Sequence, residues 1–241
     1  LEDNYFQSSV IDFDKDRSDR STYKLLGGSI GFYGSTLNTR QYATKGYLEK
    51  LIAQVFTGRE RFEPGNPQEG YSPSPQERQS WLQISYMKEA YHTMGPKFTL
   101  GWMAEALYSS KNFSENYTAT MMQAGEFAPT PHSKLMYNEA FRANQYVAAG
   151  IKPIYVLNDM FQFRTEFYGF TPIFPIKKNA LNKAYYGKAF SRFEYMGEVS
   201  VICHLPFGAI SAYVNHYSSP RREWNVGMTI GWQLFNYRFV E

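Results

Sequence analysis

The sequence lacks the features that define several common classes of protein. Its 241 residues contain one cysteine, Cys203, which excludes a disulfide framework and a cysteine-based zinc site. The four histidines, His92, His132, His204 and His216, show no metal-ligand spacing, so neither a metal nor another cofactor is expected. Twenty-five basic and 22 acidic residues give a net charge of only +3, which offers no case for nucleic acid binding. No run of about 18 apolar residues exists, so no transmembrane helix is expected.

Aromatic residues are what the sequence has in abundance. It contains 20 Tyr, 19 Phe and 4 Trp, which make up 18% of the chain, whereas its mean hydropathy is −0.48. A polar average with many aromatic residues and no helical span is typical of transmembrane β-barrels. The same composition also fits a soluble all-β protein, so the pattern along the chain has to separate the two.

Apolar and polar residues alternate along most of the chain. From Phe161 to Tyr168, for example, one face carries Phe161, Phe163 and Phe167, and the other carries polar residues. The runs are about 11 to 13 residues long, whereas a globular strand has about 5 to 6 and a tilted membrane strand about 9 to 11. Strand length and the aromatic residues at strand ends therefore favour an antiparallel transmembrane β-barrel over a soluble sandwich.

The alternation predicts nine strands and one domain. The strands are expected near residues 22–36, 46–57, 80–92, 97–109, 145–157, 160–170, 189–205, 208–217 and 224–236. A tenth strand is expected between 117 and 143. Residues 1–20 are predicted to form a loop or terminal arm, and residues 21–241 an outer-membrane β-barrel domain. Short turns alternate with longer connections, which is the asymmetry of barrels with short periplasmic turns and long outer loops.

Two sets of side chains follow from the predicted faces. Charged residues on the lumen face are interpreted as an internal pairing network, with catalysis or pore selectivity as the alternative, because a lone desolvated charge is costly. They are Glu89, Glu105, Arg164, Glu166, Arg192, Glu194 and Glu198. Aromatic residues near strand ends are predicted to line the two membrane interfaces. They are Trp81, Tyr86, Trp102, Tyr108, Tyr195, Trp224 and Trp232.

The stretch from Gly27 to Gly31 matches the G-x-S-x-G spacing of a serine hydrolase nucleophile elbow. Such an elbow needs a strand, a sharp turn and then a helix, whereas here the alternation continues through Ser35. Ser29 is therefore interpreted as one of a row of small lumen-facing residues, and no catalytic residue is assigned in this chain.

The order of these elements resembles the bacterial surface antigen barrel found in BamA and TamA. Residues 22–57 look like its glycine-rich strand, turn and outgoing strand, with Ala43 where the family often has proline. Residues 197–236 are similar to its last three strands, with Pro206-Phe207-Gly208 as the turn. The resemblance covers about residues 20–240, so it implies roughly the last ten strands of a sixteen-stranded barrel and a chain that is part of a longer protein.

Several segments look most like the barrel of patatin-like phospholipases of the Bacteroidota. They are "GEFAPTPHSK" at 125–134, "FRANQYVAAGIKPIY" at 141–155, "FRTEFYGFTPI" at 163–173 and the final "GWQLFNYRFVE". This likeness implies a lipase domain upstream, with the barrel as its anchor and a path for a substrate. In the wider family an arginine in a Val-Arg-Gly-aromatic motif pins a loop inside the barrel. Arg142 in "FRAN" is its candidate counterpart, although the glycine is replaced by Ala143.

The sequence is therefore compatible with three functions. The first is an outer-membrane anchor or translocation domain attached to a patatin-like lipase, which would make the whole protein an enzyme. The second is an assembly or translocation factor without enzymatic activity, and the third is a self-contained porin-like barrel. Each implies a bacterial outer-membrane location and contact with lipid, with lipopolysaccharide and other outer-membrane or periplasmic proteins as further candidate partners.

Overall fold

The protein is an antiparallel β structure built around one ten-stranded sheet. A computed structural model describes residues 1–7, 17–66, 78–206, 208–219 and 224–232. The strands of the sheet follow the order β1-β2-β3-β4-β5-β8-β9-β12-β13-β14, and all neighbours are antiparallel. Their bounds are β1 Glu2–Tyr5, β2 Asp19–Ser35, β3 Gly46–Glu63, β4 Arg78–Thr93, β5 Phe98–Ser109, β8 Gln145–Val156, β9 Phe161–Pro172, β12 Glu194–Leu205, β13 Gly208–Tyr217 and β14 Trp224–Trp232.

Smaller elements occupy two of the connections between these strands. Residues 110–144, hereafter the insertion, lie between β5 and β8 and contain helix α1 (Tyr117–Gln123). The insertion also contains two short 3₁₀ turns and a two-stranded ribbon of β6 (Gly125–Glu126) and β7 (Arg142–Ala143). Strands β10 (Ile176–Lys178) and β11 (Ala184–Tyr186) form a second ribbon between β9 and β12.

The two-residue period divides the sheet into two distinct faces. On the open face, large apolar side chains of almost every long strand are exposed, such as Ile30, Ile151 and Val226 at 77%, 51% and 79%. On the covered face, the polar and charged residues of β8, β9, β12 and β13 are buried beneath the insertion and the turn between β2 and β3. This arrangement inverts a soluble sandwich, which exposes its polar face.

The nine predicted strands are confirmed, most of them within a few residues of the expected bounds. Two expectations about the rest of the chain are wrong. The region 117–143 forms a helix, turns and a two-residue ribbon in place of a tenth long strand. The tenth strand of the sheet is β1, which pairs with β2 from Asp19 to Thr22, so the predicted arm 1–20 holds part of the sheet.

Two aromatic side chains of the insertion are buried against the covered face. Phe127 and Phe141 are each 2% exposed. The ring of Phe127 lies 5.9 Å from that of Phe170 and 6.3 Å from that of Tyr146, and each such aromatic pair adds about 0.5–1.5 kcal/mol beyond burial. The insertion is thus fixed to the middle of the sheet, over β8 and β9.

The turn between β2 and β3, residues 36–45, crosses the covered face and is called the crossing turn. The hydroxyl of Tyr42 lies 2.7 Å from the Oγ atom of Ser211 on β13. In a flat sheet β3 and β13 would be six strand spacings apart, or about 29 Å, which ten residues that double back cannot span. The sheet therefore curls around the crossing turn.

Among the described residues, no helix has the length and apolar character needed to cross a bilayer.

Candidate functional site

The most concentrated set of charges lies on the covered face and involves the last, turn-proximal residues of β4 together with β8 and β9. Arg164 is 2% exposed, and its Nε atom lies 3.0 Å from the Oε1 atom of Glu166. The Tyr168 hydroxyl donates to the other carboxylate oxygen of Glu166 at 2.7 Å. The guanidinium also donates to the hydroxyl of Tyr91 at 3.3 Å, and this hydroxyl donates in turn to Glu89.

Lys152 completes this group. It is 4% exposed, its Nζ atom lies 3.1 Å from Glu89, and it sits over the rings of Tyr91 and Tyr168 at 5.8 Å. Two cations and two carboxylates thus balance, and each charge has a partner, which is the condition for burying ions without a large penalty. The arrangement fits a structural network rather than a reactive site with an unpaired nucleophile.

Three of the seven predicted lumen charges, Glu89, Arg164 and Glu166, meet in this network, and Lys152 was missed. The signal for Lys152 was available, because in "AGIKPIY" it shares the parity of the covered-face residues Gly150 and Ile154.

Of the other predicted charges, Glu198 lies directly opposite Glu166 in the pairing of β12 with β9, whereas Glu105 and Glu194 lie apart from the network. Glu105 accepts from the hydroxyl of Tyr146 at 2.5 Å, and Glu198 accepts from Asn215 at 3.4 Å. Glu194 accepts from Ser218 at 2.6 Å. The covered face therefore holds one network of charges, with Glu198 beside it, and separate polar contacts at Glu105 and Glu194.

The prediction that Arg192 lies on the lumen face of a strand is wrong, because Arg192 precedes β12. The strand begins at Glu194 rather than near residue 189, since residues 191–193 follow the β10–β11 ribbon without strand pairing. The Arg192 guanidinium donates to the backbone oxygens of Ala140 at 3.1 Å and Arg142 at 3.4 Å. It therefore ties the end of the insertion to the start of β12.

Arg142, the predicted pin, is bonded within the insertion itself. It donates to the backbone oxygens of Met122 at 3.0 Å and Ala124 at 3.2 Å, and to Glu126 at 2.7 Å. Its guanidinium also lies 4.7 Å from the ring of Tyr137. Burial raises the pKa of Glu126, and the positive charge of Arg142 opposes that rise. The residue thus closes the insertion on itself, and Phe127 and Phe141 attach the insertion to the sheet.

The crossing turn is held by side chains of β9. Arg164 donates to the backbone oxygen of Ala43 at 2.9 Å, and Gln162 donates to that of Tyr42 at 3.1 Å. Tyr42 has a φ of 56°, a left-handed conformation that is unusual for an aromatic residue. Within the turn, the side-chain oxygen of Asn38 accepts from the backbone N–H groups of Thr44 and Lys45.

The predicted interface aromatics fall on both faces. Trp102, Tyr108, Tyr195 and Trp224 share the parity of the exposed apolar residues, with Trp224 72% exposed. Tyr86 also lies on the open face, where its hydroxyl donates to Glu49 at 2.6 Å. The side chain of Trp232 lies outside the described part of the chain.

The prediction for Trp81 as an interface aromatic is wrong, because this residue is 9% exposed and lies on the covered face. It stacks on Phe56 at 5.1 Å, and the Nζ atom of Lys111 sits 5.1 Å from its ring. Lys111 also faces the ring of Tyr23 at 5.2 Å and donates to Gln123 at 3.2 Å. Burial lowers the pKa of Lys111 to about 8, against the opposing charges of Glu60 and Asp3.

Ser29 lies in the middle of β2, opposite Gln54 of β3. The strand continues to Ser35 and leads into the crossing turn, so no helix follows the serine. Among the described residues, no group of three or more His, Cys, Asp or Glu side chains is placed to hold a metal ion.

Comparison with known proteins found no relative. No protein-family model matches the chain, no curated protein matches it, and no solved structure matches it.

Proposed function

We propose that this chain is a β-barrel domain of the bacterial outer membrane, with its open face against lipid. The observation that carries the proposal is the exposed apolar belt of the open face. On β2, β3 and β4 it includes Leu26, Ile30, Phe32, Leu51, Val55, Leu82 and Ile84, and it continues on β8, β9, β12 and β14. A contiguous exposed patch of this size is unusual for a soluble monomer and is what a lipid-facing wall requires.

The height of the belt also supports a membrane environment for the open face. On β2 it is bounded by Lys24 at one end and, ten positions further, by Gly34, which lies opposite the Glu49–Lys88 ion pair. Ten residues extend about 33 Å along a strand, and at a tilt of about 40° they cover a height of about 25 Å. That value is the height of the apolar band in outer-membrane barrels.

The strand edges favour further pairing. Among the described residues, β1 covers β2 only from Asp19 to Thr22, and β14 pairs only with β13. Unpaired backbone groups are not tolerated in hydrocarbon, so in a membrane these edges pair with each other or with additional strands. Additional strands agree with the sixteen-stranded barrel that the sequence motifs suggest.

We further propose that the domain is a BamA/TamA-like barrel that anchors an upstream patatin-like lipase and passes a substrate to it. The support is the set of sequence motifs together with a covered face lined by polar residues. Substituting Ser29→Ala in the natural protein should leave any lipolytic activity unchanged, because Ser29 lies in mid-strand opposite Gln54 and forms no triad with a histidine and an acid among the described residues. Loss of activity with the barrel still assembled would contradict this assignment.

Two alternative functions also assume a membrane barrel but give it a different role. Tandem periplasmic assembly modules upstream, without a lipase domain, would favour an assembly or translocation factor. A natural protein whose intact mass equals the 27.9 kDa of this chain would favour the self-contained porin-like barrel. In all of them outer-membrane lipid is the expected contact, with lipopolysaccharide and outer-membrane or periplasmic proteins as candidate partners.

The membrane environment can be tested by cysteine labelling of the natural protein in isolated membranes. In a Cys203→Ser background, Ile30→Cys and Ala53→Cys in the belt should resist a membrane-impermeant maleimide. Thr22→Cys, on the same face beyond the basic end of the belt, should react. Equal reaction at all three positions would reject the proposal.

A further inference from the structure

One end of the apolar belt is bounded by three basic residues in a row. Lys24 of β2 lies directly opposite Arg59 of β3, and Arg59 lies directly opposite Arg78 of β4. All three side chains are exposed on the open face. Side chains directly opposite each other on neighbouring strands are about 4.5–5.5 Å apart at Cβ, and like charges in such positions destabilise a sheet.

No described carboxylate neutralises this row. Within residues 1–7, 17–66, 78–206, 208–219 and 224–232, none of the three forms an ion pair, and Arg78 donates only to the hydroxyl of Thr57 at 3.2 Å. The next basic residues toward the strand ends are different. Arg20 pairs with Glu63, and Arg61 lies 2.8 Å from the same carboxylate. The row is therefore a concentration of positive charge that lacks a counterion in the described part of the chain.

A shallow depression lies at this row. Its volume is about 410 Å³, and it is lined by Lys24, Leu26, Thr57, Arg59 and Arg78 among others. The Oγ atom of Ser80 donates to the hydroxyl of Thr57, one of the lining residues, at 2.9 Å. Basic groups thus surround a space large enough for a phosphate group, with hydroxyl groups beside them.

The surface next to the depression is apolar. Two residues further along each strand, the belt begins with Leu26, which lies in line with Thr57 and Ser80. It continues with Gly28, Val55 and Leu82, followed by Ile30, Ala53 and Ile84. A ligand that satisfies both surfaces carries a negative headgroup and long apolar chains. A soluble anion would use only the row, and a neutral lipid only the belt.

We propose that Lys24, Arg59 and Arg78 bind the phosphate of an anionic membrane lipid whose acyl chains lie along the belt toward Phe32. This inference rests on the proposed membrane location and adds the lipid class and its binding residues. The row lies at the end of the sheet where β3 and β4 are joined by residues 64–77 and where the insertion begins, so the lipid belongs to the leaflet at that end.

The test uses the natural protein in a neutral detergent, titrated with short-chain phosphatidylglycerol, phosphatidylcholine or inorganic phosphate. Binding is measured as the rise in the temperature at which the folded gel band is lost. Wild type should bind phosphatidylglycerol at least tenfold more tightly than phosphatidylcholine, with little response to inorganic phosphate. The triple variant Lys24→Gln/Arg59→Gln/Arg78→Gln should lose this preference.

Two further variants test whether the lipid preference depends on the row itself. Arg20→Gln/Arg61→Gln removes two charges that are already paired with Glu63, and it should keep the preference. Arg59→Gln alone removes the centre of the row and should weaken phosphatidylglycerol binding by at least threefold. Without lipid, the triple variant should be as stable as wild type or more stable, because like-charge repulsion is relieved.

Equal preference in wild type and the triple variant would overturn the inference, as would a response to inorganic phosphate as large as the response to phosphatidylglycerol. A triple variant that is much less stable without lipid would overturn it too, because the row would then be structural. Failure of the membrane proposal is distinct, since Ile30→Cys and Ala53→Cys would then react freely with maleimide whether or not the row is intact.

Discussion

Arg164 donates a hydrogen bond of 2.9 Å to the backbone oxygen of Ala43, although 121 residues separate the two in the chain. The same guanidinium balances the buried carboxylate of Glu166. One side chain therefore neutralises a buried carboxylate and also holds the crossing turn in place. Both tasks depend on the planar guanidinium, which can donate in several directions at once.

Replacing Arg164 with Ala should lower the free energy of unfolding by about 3–5 kcal/mol, because it leaves Glu166 buried beside only part of its counter-charge. Urea unfolding in lipid vesicles measures this loss. Arg61→Ala is the matched control, since Arg61 is an exposed partner of Glu63 and should cost less than about 1 kcal/mol. Equal losses in the two variants would contradict a central role of Arg164.

Replacing Arg142 with Ala should loosen the insertion by about 2–3 kcal/mol, because its charged hydrogen bonds to Met122, Ala124 and Glu126 are lost. Protease cleavage within residues 127–139 should become faster, and the heat-induced loss of the folded gel band should shift to lower temperature. Lys134→Ala, at an exposed position of the same segment, should change neither. An unchanged cleavage rate and transition temperature in Arg142→Ala would contradict the role of Arg142 in closing the insertion.

Lys111 should make stability depend on alkaline pH. Its pKa falls from the ordinary 10.5 to about 8 on folding, so between these values the unfolded chain binds more protons than the folded one. The folded state should therefore gain stability as pH rises through this window. Lys111→Met keeps the contact with Tyr23 and Trp81 and lacks the titration. Comparing both proteins at pH 7 and pH 9.5 should show wild type gaining relative to the variant, and parallel behaviour would contradict the burial of this amine.

His132 should respond to acid. Burial lowers its pKa below the ordinary 6.5, and its Nδ1 atom accepts from the Asn215 amide at 2.7 Å, with the Tyr217 hydroxyl 3.2 Å away. The contribution of His132 is complete above pH 6.5 and is lost as pH falls below that value, because protonation removes the acceptor. Amide exchange at residues 133–136, corrected for the intrinsic rate, should be faster at pH 5 than at pH 7. His132→Phe should remove this difference.

The belt predicts that the free-energy cost of an introduced charge depends strongly on its depth in the membrane. Ala53→Arg places a charge in its middle, between Ile30 and Ile84, and should cost about 2–4 kcal/mol of folding in vesicles. Ser80→Arg places the same side chain on the same face at the edge of the belt, where about 0–1 kcal/mol is expected. Similar costs at the two positions would argue against lipid around this face.

The strands could be predicted because alternation is a local signal that repeats over many residues. Trp81 shows how residue type can mislead, since its parity in β4 matches Gln83 and Glu89 on the covered face, yet a tryptophan near a strand end suggests a membrane interface. Its stacking on Phe56 and its contact with Lys111 come from other parts of the chain.

The insertion and the crossing turn could not be predicted, because distant contacts determine them. No periodic pattern indicates that Phe127 packs on Phe170, or that Tyr42 adopts a positive φ so that its backbone oxygen can accept from Gln162. Lys152 was only partly predictable. Its face was predictable from parity, whereas its pairing with Glu89 required the register of β4, β5 and β8.

The contact between Tyr42 and Ser211 joins residues 169 positions apart, which sets an order for folding. During synthesis the β2–β3 hairpin emerges long before its partners on β9 and β13 exist. Pairings over such separations are slow to form, and the apolar face of the early hairpin is exposed in the meantime. The crossing turn can therefore reach its final position only after the last strands have been made.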